Sequence, residues 1–196
     1  MQHRTFVIAV AAIVTGAASA AALVFWPTPP PGRDPDLWPV ETLAADAAVA
    51  LPHVLHVAPA GCPGFSISSP VPEYSRNVPG SDSYAIKLDS SHFTLAVCLG
   101  PVEETGGARG TVAETIGHHE VDGGGFWNRN PTVVSSPYGE LARVDRAFAA
   151  TDAPRLTDWM VDHGGYTYAF GYLHPTGDAG RHRDVEAMIA SVTWDE

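Results

Sequence analysis

The sequence predicts an α/β (α+β) protein: an antiparallel sheet sandwiched between helices, preceded by one N-terminal transmembrane helix. Three observations lead to this prediction. Residues 5–26 carry no charged side chain, several later runs have the apolar patterning of strands, and the chain ends in an amphipathic helical pattern. The predicted organisation is a transmembrane signal anchor at 1–26, a proline-rich tether and juxtamembrane segment at 27–60, and an extracytoplasmic domain at 61–196.

The N-terminal apolar segment has the length of a membrane-spanning helix, for which about twenty residues are needed. Apolarity continues past Ala20 to Trp26, which is placed like an interfacial anchor. The predicted location is therefore the cell membrane, single-pass, with the C-terminal domain outside the cytoplasm. Ala18-Ser-Ala20 also fits a signal peptidase site, so secretion after cleavage near Ala20 is the alternative. A buried helix of a soluble protein is the third interpretation.

The composition describes an acidic chain. It has 22 acidic and 11 basic residues and a formal net charge of −11. Nucleic acids and anionic membrane surfaces are bound by clustered lysine and arginine, so this balance argues against both as partners. The part beyond the tether has the length of one ordinary domain.

Cys62 and Cys98 are the two cysteines of the chain. In an oxidising compartment such a pair favours a disulfide, which would stabilise the domain by roughly 4 kcal/mol. Two buried free thiols are the alternative. The spacing fits neither a CxxC redox motif nor a zinc knuckle.

The first half of the domain alternates short strands with turns. An alanine-rich helix is predicted at 41–51, followed by strands at 64–70 and 84–89. The run at 93–99 is apolar on both faces, which places it centrally in a sheet covered on both sides. A helix is predicted from about residue 111 to the glycines at 123–125.

The second half reads as an antiparallel meander followed by a helix. Strands are predicted at 132–135, 140–148, 156–161 and 166–172. The last strand has aromatic residues on one face and Thr167, Ala169 and Gly171 on the other. Such small residues let a helix lie close. The helix from Arg181 is predicted to supply it, through apolar residues at i, i+3, i+4 and i+7 spacing.

The order of these elements resembles the PsbP-like fold, which photosystem II extrinsic proteins share with bacterial lipoproteins of the LpqN and DcrB kind. The resemblance covers about Gly64 to Trp194. It rests on a Gly-Phe-Ser-Ile strand ending at Pro70, on the Gly139–Arg143 and Gly165–Phe170 strands, and on the closing Ile189–Trp194 segment. It implies an anchored or secreted accessory or binding module without shared catalytic residues. A protein anchor replaces the lipidated cysteine of many relatives.

Nine histidines raise the question of a metal. His118-His119-Glu120 is the densest cluster, but adjacent helical side chains point about 100° apart, so one ion cannot easily use both histidines. A site joining His174, Asp178 and His182 before the last helix is a weaker candidate. Solvated or packed histidines are the preferred interpretation, and no metal or other cofactor is predicted.

Catalytic motifs are absent from the sequence, which has neither GxSxG nor HExxH. No catalytic residue is therefore assigned. Phe126, Trp127 and Arg129 follow a glycine run and belong to the residue types enriched at interface hot spots. They are the candidate interaction residues, on a predicted mobile loop. The alternative is that their aromatic rings fold back onto the sheet.

The function predicted from these observations is an extracytoplasmic binding or accessory module, without catalysis. Its partner would be an envelope or membrane protein complex. The alternative is an extracytoplasmic protein that binds a small ligand or a metal. An uncharacterised hydrolase is the third possibility.

Overall fold

The structure is a computed structural model of the 196-residue chain. It describes residues 32–43, 48–76, 83–121, 124–148, 154–177 and 180–195. Within these ranges, no helix combines the length and the apolar character needed to cross a bilayer. The anchor predicted at 1–26 lies outside the described residues and stays a prediction.

The described part of the chain is mixed α+β and is mostly sheet. A short 3-10 helix, Pro35–Leu37, precedes the first strand. The strands, in chain order, are β1 (Val40–Thr42), β2 (His53–Val57), β3 (Phe65–Ser69), β4 (Ser75–Arg76), β5 (Ser83–Lys87), β6 (Phe93–Pro101), β7 (Gly117–Val121), β8 (Gly124–Ser136), β9 (Gly139–Phe148), β10 (Arg155–His163), β11 (Tyr166–His174) and β12 (Thr193–Trp194). The helices are α1 (Val102–Thr105), α2 (Gly107–Thr115) and α3 (His182–Ala190).

Nine of the described strands form one large sheet, in the order β1-β8-β9-β10-β11-β6-β5-β4, with β7 paired to β8. Neighbouring strands are antiparallel except β1, which runs parallel to β8. The β10–β11 hairpin turns on Gly164 and Gly165, whose φ angles of 58° and 83° suit a two-residue turn. The remaining strands, β12, β3 and β2, form a small antiparallel sheet.

The small sheet and α3 cover one face of the large sheet. Val185, Met188 and Ile189 of α3 are fully buried there, and burying each contributes about 1.5–3 kcal/mol. They pack against the aromatic face of β11 and against the small sheet. This cluster includes Tyr168, Phe170, Tyr172, Trp159, Phe65 and Ile67.

The other face of the large sheet is covered by α2. Ala108 and Val112 of this helix are buried against Ala142 and Ala169, whose small side chains let it lie close to the strands. The helix starts where Asp162 accepts hydrogen bonds from the backbone N–H of Ala108, at 2.9 and 3.1 Å. Such a side-chain cap satisfies a donor that the helix itself leaves unpaired.

Two helix predictions are therefore wrong. The small-residue face of β11 is covered by α2, whereas α3 lies on the aromatic face. The helix predicted from residue 111 spans Gly107–Thr115 instead. The chain beyond it forms β7 and β8, because these strands pair with each other and β8 pairs with β9.

The domain begins earlier than residue 61. Val40–Thr42 of the predicted tether forms β1, and His53–Val57 forms β2, so the helix predicted at 41–51 starts in a strand instead. Trp38 is buried, and its indole N–H donates to the carbonyl of Gly32 at 2.6 Å. The segment from residue 32 to residue 43 is thus part of the domain.

Candidate functional site

The predicted disulfide between Cys62 and Cys98 is confirmed, with the two Cα atoms 6.6 Å apart. It joins the turn after β2 to the central strand β6. Both cysteines pack on the cluster under α3. A disulfide fits an oxidising, extracytoplasmic compartment, because thiols in the cytoplasm are kept reduced.

The register of the large sheet brings together residues that lie far apart in the sequence. Trp127 of β8 is opposite Ala147 of β9, and Ala147 is opposite Arg155 of β10. Arg155 is in turn opposite His174 of β11. Directly paired residues lie on the same face of a sheet, about 4.5–5.5 Å apart between Cβ atoms. One row across four strands therefore runs from the candidate interaction residues to the candidate metal ligands.

A second row runs beside the first on the same face. Arg129 is opposite Asp145, Asp145 is opposite Thr157, and Thr157 is opposite Tyr172. We call the surface made by Trp127, Arg129 and Arg155, with the buried His174 at the end of the row, the Trp127 face. It lies on the α3 side of the large sheet, next to the first turn of that helix.

Two arginines, Arg129 and Arg155, and one acid, Asp145, lie in the two rows of the Trp127 face. Both carboxylate oxygens of Asp145 accept from neutral groups, one from the Thr157 hydroxyl and one from the Asn130 amide, each at 3.1 Å. Arg129 and Arg155 form no ion pair with another described residue. Within the described residues, the face therefore carries two guanidinium groups without an ion pair, on a chain whose net charge is −11.

Trp127 and Phe126 have different surroundings. Trp127 is 43 % exposed, and Arg129 is also exposed. Phe126 is only 7 % exposed because it points to the opposite face of β8, where the Arg146 guanidinium lies 4.6 Å from its ring centre. The structure thus removes Phe126 from the candidate surface. It also places all three residues in a strand and not in a loop, since β8 begins at Gly124.

His174 and His182 both approach the ring of Tyr172, at centroid distances of 4.9 and 5.9 Å. His182 faces Glu186 at 3.3 Å, and Nδ1 of His174 lies 2.9 Å from the carbonyl of Pro175. Asp178, the third candidate ligand, lies outside the described residues. Among the residues that are described, no group of three or more histidine, cysteine or acidic side chains is arranged to hold a metal ion.

His118-His119-Glu120 lies in β7 and not in a helix.

The turn before β6 holds an acid–histidine pair beside the start of α3. The pKa of Asp89 is held well below its usual range, chiefly because the Ser91 backbone N–H donates to the carboxylate and then because His92 lies beside it. His92 Nδ1 is 2.8 Å from the nearer Asp89 oxygen, and Arg181 adds an ion pair at 3.6 Å. These contacts fix the loop against the helix start.

Arg155 was not singled out from the sequence, although it belongs to the Trp127 face. Nor were Asn128, Arg146 and Asp158, which lie buried on the opposite face. Asp158 could have been noticed in the sequence, because it is a charged residue inside the apolar strand pattern at 156–161. No local sequence pattern distinguishes Asn128 or Arg146, because their burial follows from pairing between strands that are distant in the sequence.

Comparison with known proteins gives no family. No family model matches the chain, and no curated protein matches it. Among solved structures, a crystal structure from Bacteroides thetaiotaomicron VPI-5482 is similar, with a TM-score of 0.40 and 10 % identity. The similar region covers 73 % of this chain and 48 % of the Bacteroides chain, so this chain spans about half the length of that protein.

Proposed function

We propose that the protein is a membrane-anchored, extracytoplasmic binding module that joins an envelope or membrane protein complex through its Trp127 face and catalyses no reaction. The observation that carries the proposal is the row that joins Trp127, which is partly exposed, to Arg155 two strands away, an arginine without an ion pair to any described residue. Tryptophan and arginine are the residue types most enriched at interface hot spots.

The chemistry of this face indicates the chemistry of the partner. Arg129 and Arg155 flank Asp145, whose oxygens are already occupied by Thr157 and Asn130. The local excess of positive charge favours a partner that presents carboxylates around an apolar patch. Guanidinium groups bind carboxylates in paired hydrogen bonds, and the ring of Trp127 supplies the apolar contact.

The cellular location in this proposal rests on two supports. The disulfide fits an oxidising compartment, and the apolar segment at 5–26 has spanning length. Secretion after cleavage near Ala20 would leave the same binding face and remove only the anchor. We further propose a PsbP-like fold, supported by the order of elements between Gly64 and Trp194.

Affinity capture of the full-length chain from detergent-solubilised membranes tests the proposal. Trp127→Ala and the double variant Arg129→Glu/Arg155→Glu should each lose the partner that the wild type captures. Val54→Ala is the matched control, because Val54 is 72 % exposed on the small sheet. It should retain the partner, and all variants should melt within a few degrees of the wild type. Partner capture that survives the changes at 127, 129 and 155 would refute the Trp127 face as the binding surface.

A further inference from the structure

A second polar cluster lies on the opposite face of the large sheet. Asn128 of β8 is paired with Arg146 of β9, and Asp158 of β10 is on the same face, because Asp158 pairs with Val144. The three side chains are 3–6 % exposed. Burial of three polar side chains together is costly unless their hydrogen bonds are made.

The hydrogen bonds of this cluster are incomplete. Nε of Arg146 donates to Oδ1 of Asn128 at 3.1 Å, and Nη2 of Arg146 forms an ion pair with Asp158 at 3.6 Å. Nη1 of Arg146 and Nδ2 of Asn128 have no acceptor among the described residues. Leaving a buried donor unpaired is costly, because the group loses its hydrogen bond to water without gaining another. Two such donors on adjoining side chains offer a place where an outside acceptor, a water molecule or a ligand, can bind.

The surroundings of the two donors are apolar. The ring of Phe126 lies 4.6 Å from the guanidinium carbon of Arg146. Leu156 of β10 pairs directly with Arg146 and is buried on the same face. A ligand that meets these donors would therefore also meet apolar walls.

The charges of the cluster are compatible with an anion. The Arg146 guanidinium offers donors in a fork that matches a carboxylate. Asp158 opposes an anion, but its own charge is disfavoured, because burial raises its pKa despite the nearby Arg146. Asp145, the other acid that acts on Asp158, has its oxygens bonded to Thr157 and Asn130 on the far face.

We propose that Arg146 and Asn128 form a binding site for a small organic carboxylate with an apolar body. One carboxylate oxygen accepts from Nη1 of Arg146, and the other accepts from Nδ2 of Asn128. The apolar body lies among Phe126 and Leu156. This site is separate from the Trp127 face, so either can fail without the other.

The test uses thermal unfolding of the full-length protein with sodium octanoate, sodium acetate or octan-1-ol, at constant ionic strength. A ligand that binds the native state raises the melting temperature. Octanoate should raise it most, because it supplies both the carboxylate and the apolar body. No shift with octanoate, or an equal shift with octan-1-ol, would overturn the proposal.

Two variants locate the site. Asn128→Leu should weaken octanoate binding at least about tenfold, which corresponds to the loss of one hydrogen bond to a charged group. Arg146→Met alone would leave Asp158 buried without its partner, so the double variant Arg146→Met/Asp158→Leu is used, since replacing both members of a buried pair is often tolerated. It should fold and show no octanoate shift. An undiminished shift in either variant would place octanoate elsewhere and refute the assignment.

Discussion

Removal of the disulfide should cost the domain about 3.8 kcal/mol. Cys62 and Cys98 are 36 residues apart, and closing a loop of that length lowers the entropy of the unfolded chain by about 13 cal/mol/K. At 25 °C this amounts to about 3.8 kcal/mol, or a fall in melting temperature of roughly 10 °C for a domain of this size. The double variant Cys62→Ala/Cys98→Ala tests this value directly.

Urea unfolding of the full-length chain measures the difference. The oxidised wild type, the reduced wild type and the double alanine variant are compared in the same detergent, and the last two should coincide. Tyr168→Phe is a second control, because it removes a local hydrogen bond beside the disulfide and leaves the disulfide in place. The Tyr168 hydroxyl donates to the carbonyl of Pro63 at 2.9 Å. Burial raises the pKa of Tyr168 to about 12, so the phenol keeps its proton in alkaline buffer as well. A loss below about 1 kcal/mol in the double variant would show that such local contacts, and not chain entropy, hold this segment.

Four further substitutions give three more predictions. Phe126→Ala should destabilise the domain by about 3 kcal/mol in urea unfolding, whereas Trp127→Ala should cost under about 1 kcal/mol; equal costs would contradict the face assignment. Gly107→Ala should cost about 2 kcal/mol, because φ is +76° and the new Cβ would lie 2.8 Å from the capping Asp162 carboxylate; a neutral effect would argue against this cap. Burial raises the pKa of Asp158 in the folded protein above its ordinary value of 3.8, so the folded state loses stability as pH rises through that pKa. The free energy of unfolding of the wild type, relative to that of Asp158→Asn, should therefore fall from about pH 4 upward. A relative stability that grows with pH would contradict this prediction.

The strands that the sequence revealed are those whose pattern is local. In β11, aromatic residues alternate with Thr167, Ala169 and Gly171, so the period of two was visible without knowing the partners of the strand. The apolar run of β6 correctly indicated a position inside the sheet. The apolar spacing of α3 likewise depends only on neighbouring turns of one helix.

The β7–β8 region was missed because its structure depends on distant pairing. Glycines at 123–125 are typical of a loop, and Pro131 interrupts a strand pattern. The register shift between Arg129 and Thr132 accommodates this interruption. Asn130 there has a φ of 55°, a left-handed conformation that asparagine tolerates better than most residues. The pairing with β9 extends the strand on both sides of the irregularity.

The sequence prediction placed the wrong helix on the small-residue face of β11 for a similar reason. Small residues correctly indicated a closely packed helix, but sequence order alone does not say which helix. Ala142 and Ala169 lie on either side of Met160 under α2, and that arrangement requires the pairing of β9, β10 and β11. The aromatic face is wide enough for α3 and the small sheet together.

The Trp127 face was recognised only in part. Trp127 and Arg129 stood out by residue type, and His174 by its neighbours. Arg155 joins them because Ala147 is paired with both Trp127 and Arg155. No local pattern reveals such a row, since it runs from Trp127 to His174, which lie 47 residues apart in the chain.

Photocrosslinking from the Trp127 face tests the central claim most directly. A photoreactive amino acid replaces Trp127 in the full-length chain, or replaces Val54 as the control, and cells are irradiated before membranes are solubilised. The account predicts a discrete crosslinked product from position 127, none of the same mass from position 54, and loss of the product when Arg155→Glu is added. Equal products from both positions, or a product from position 127 that is indifferent to Arg155→Glu, would contradict it.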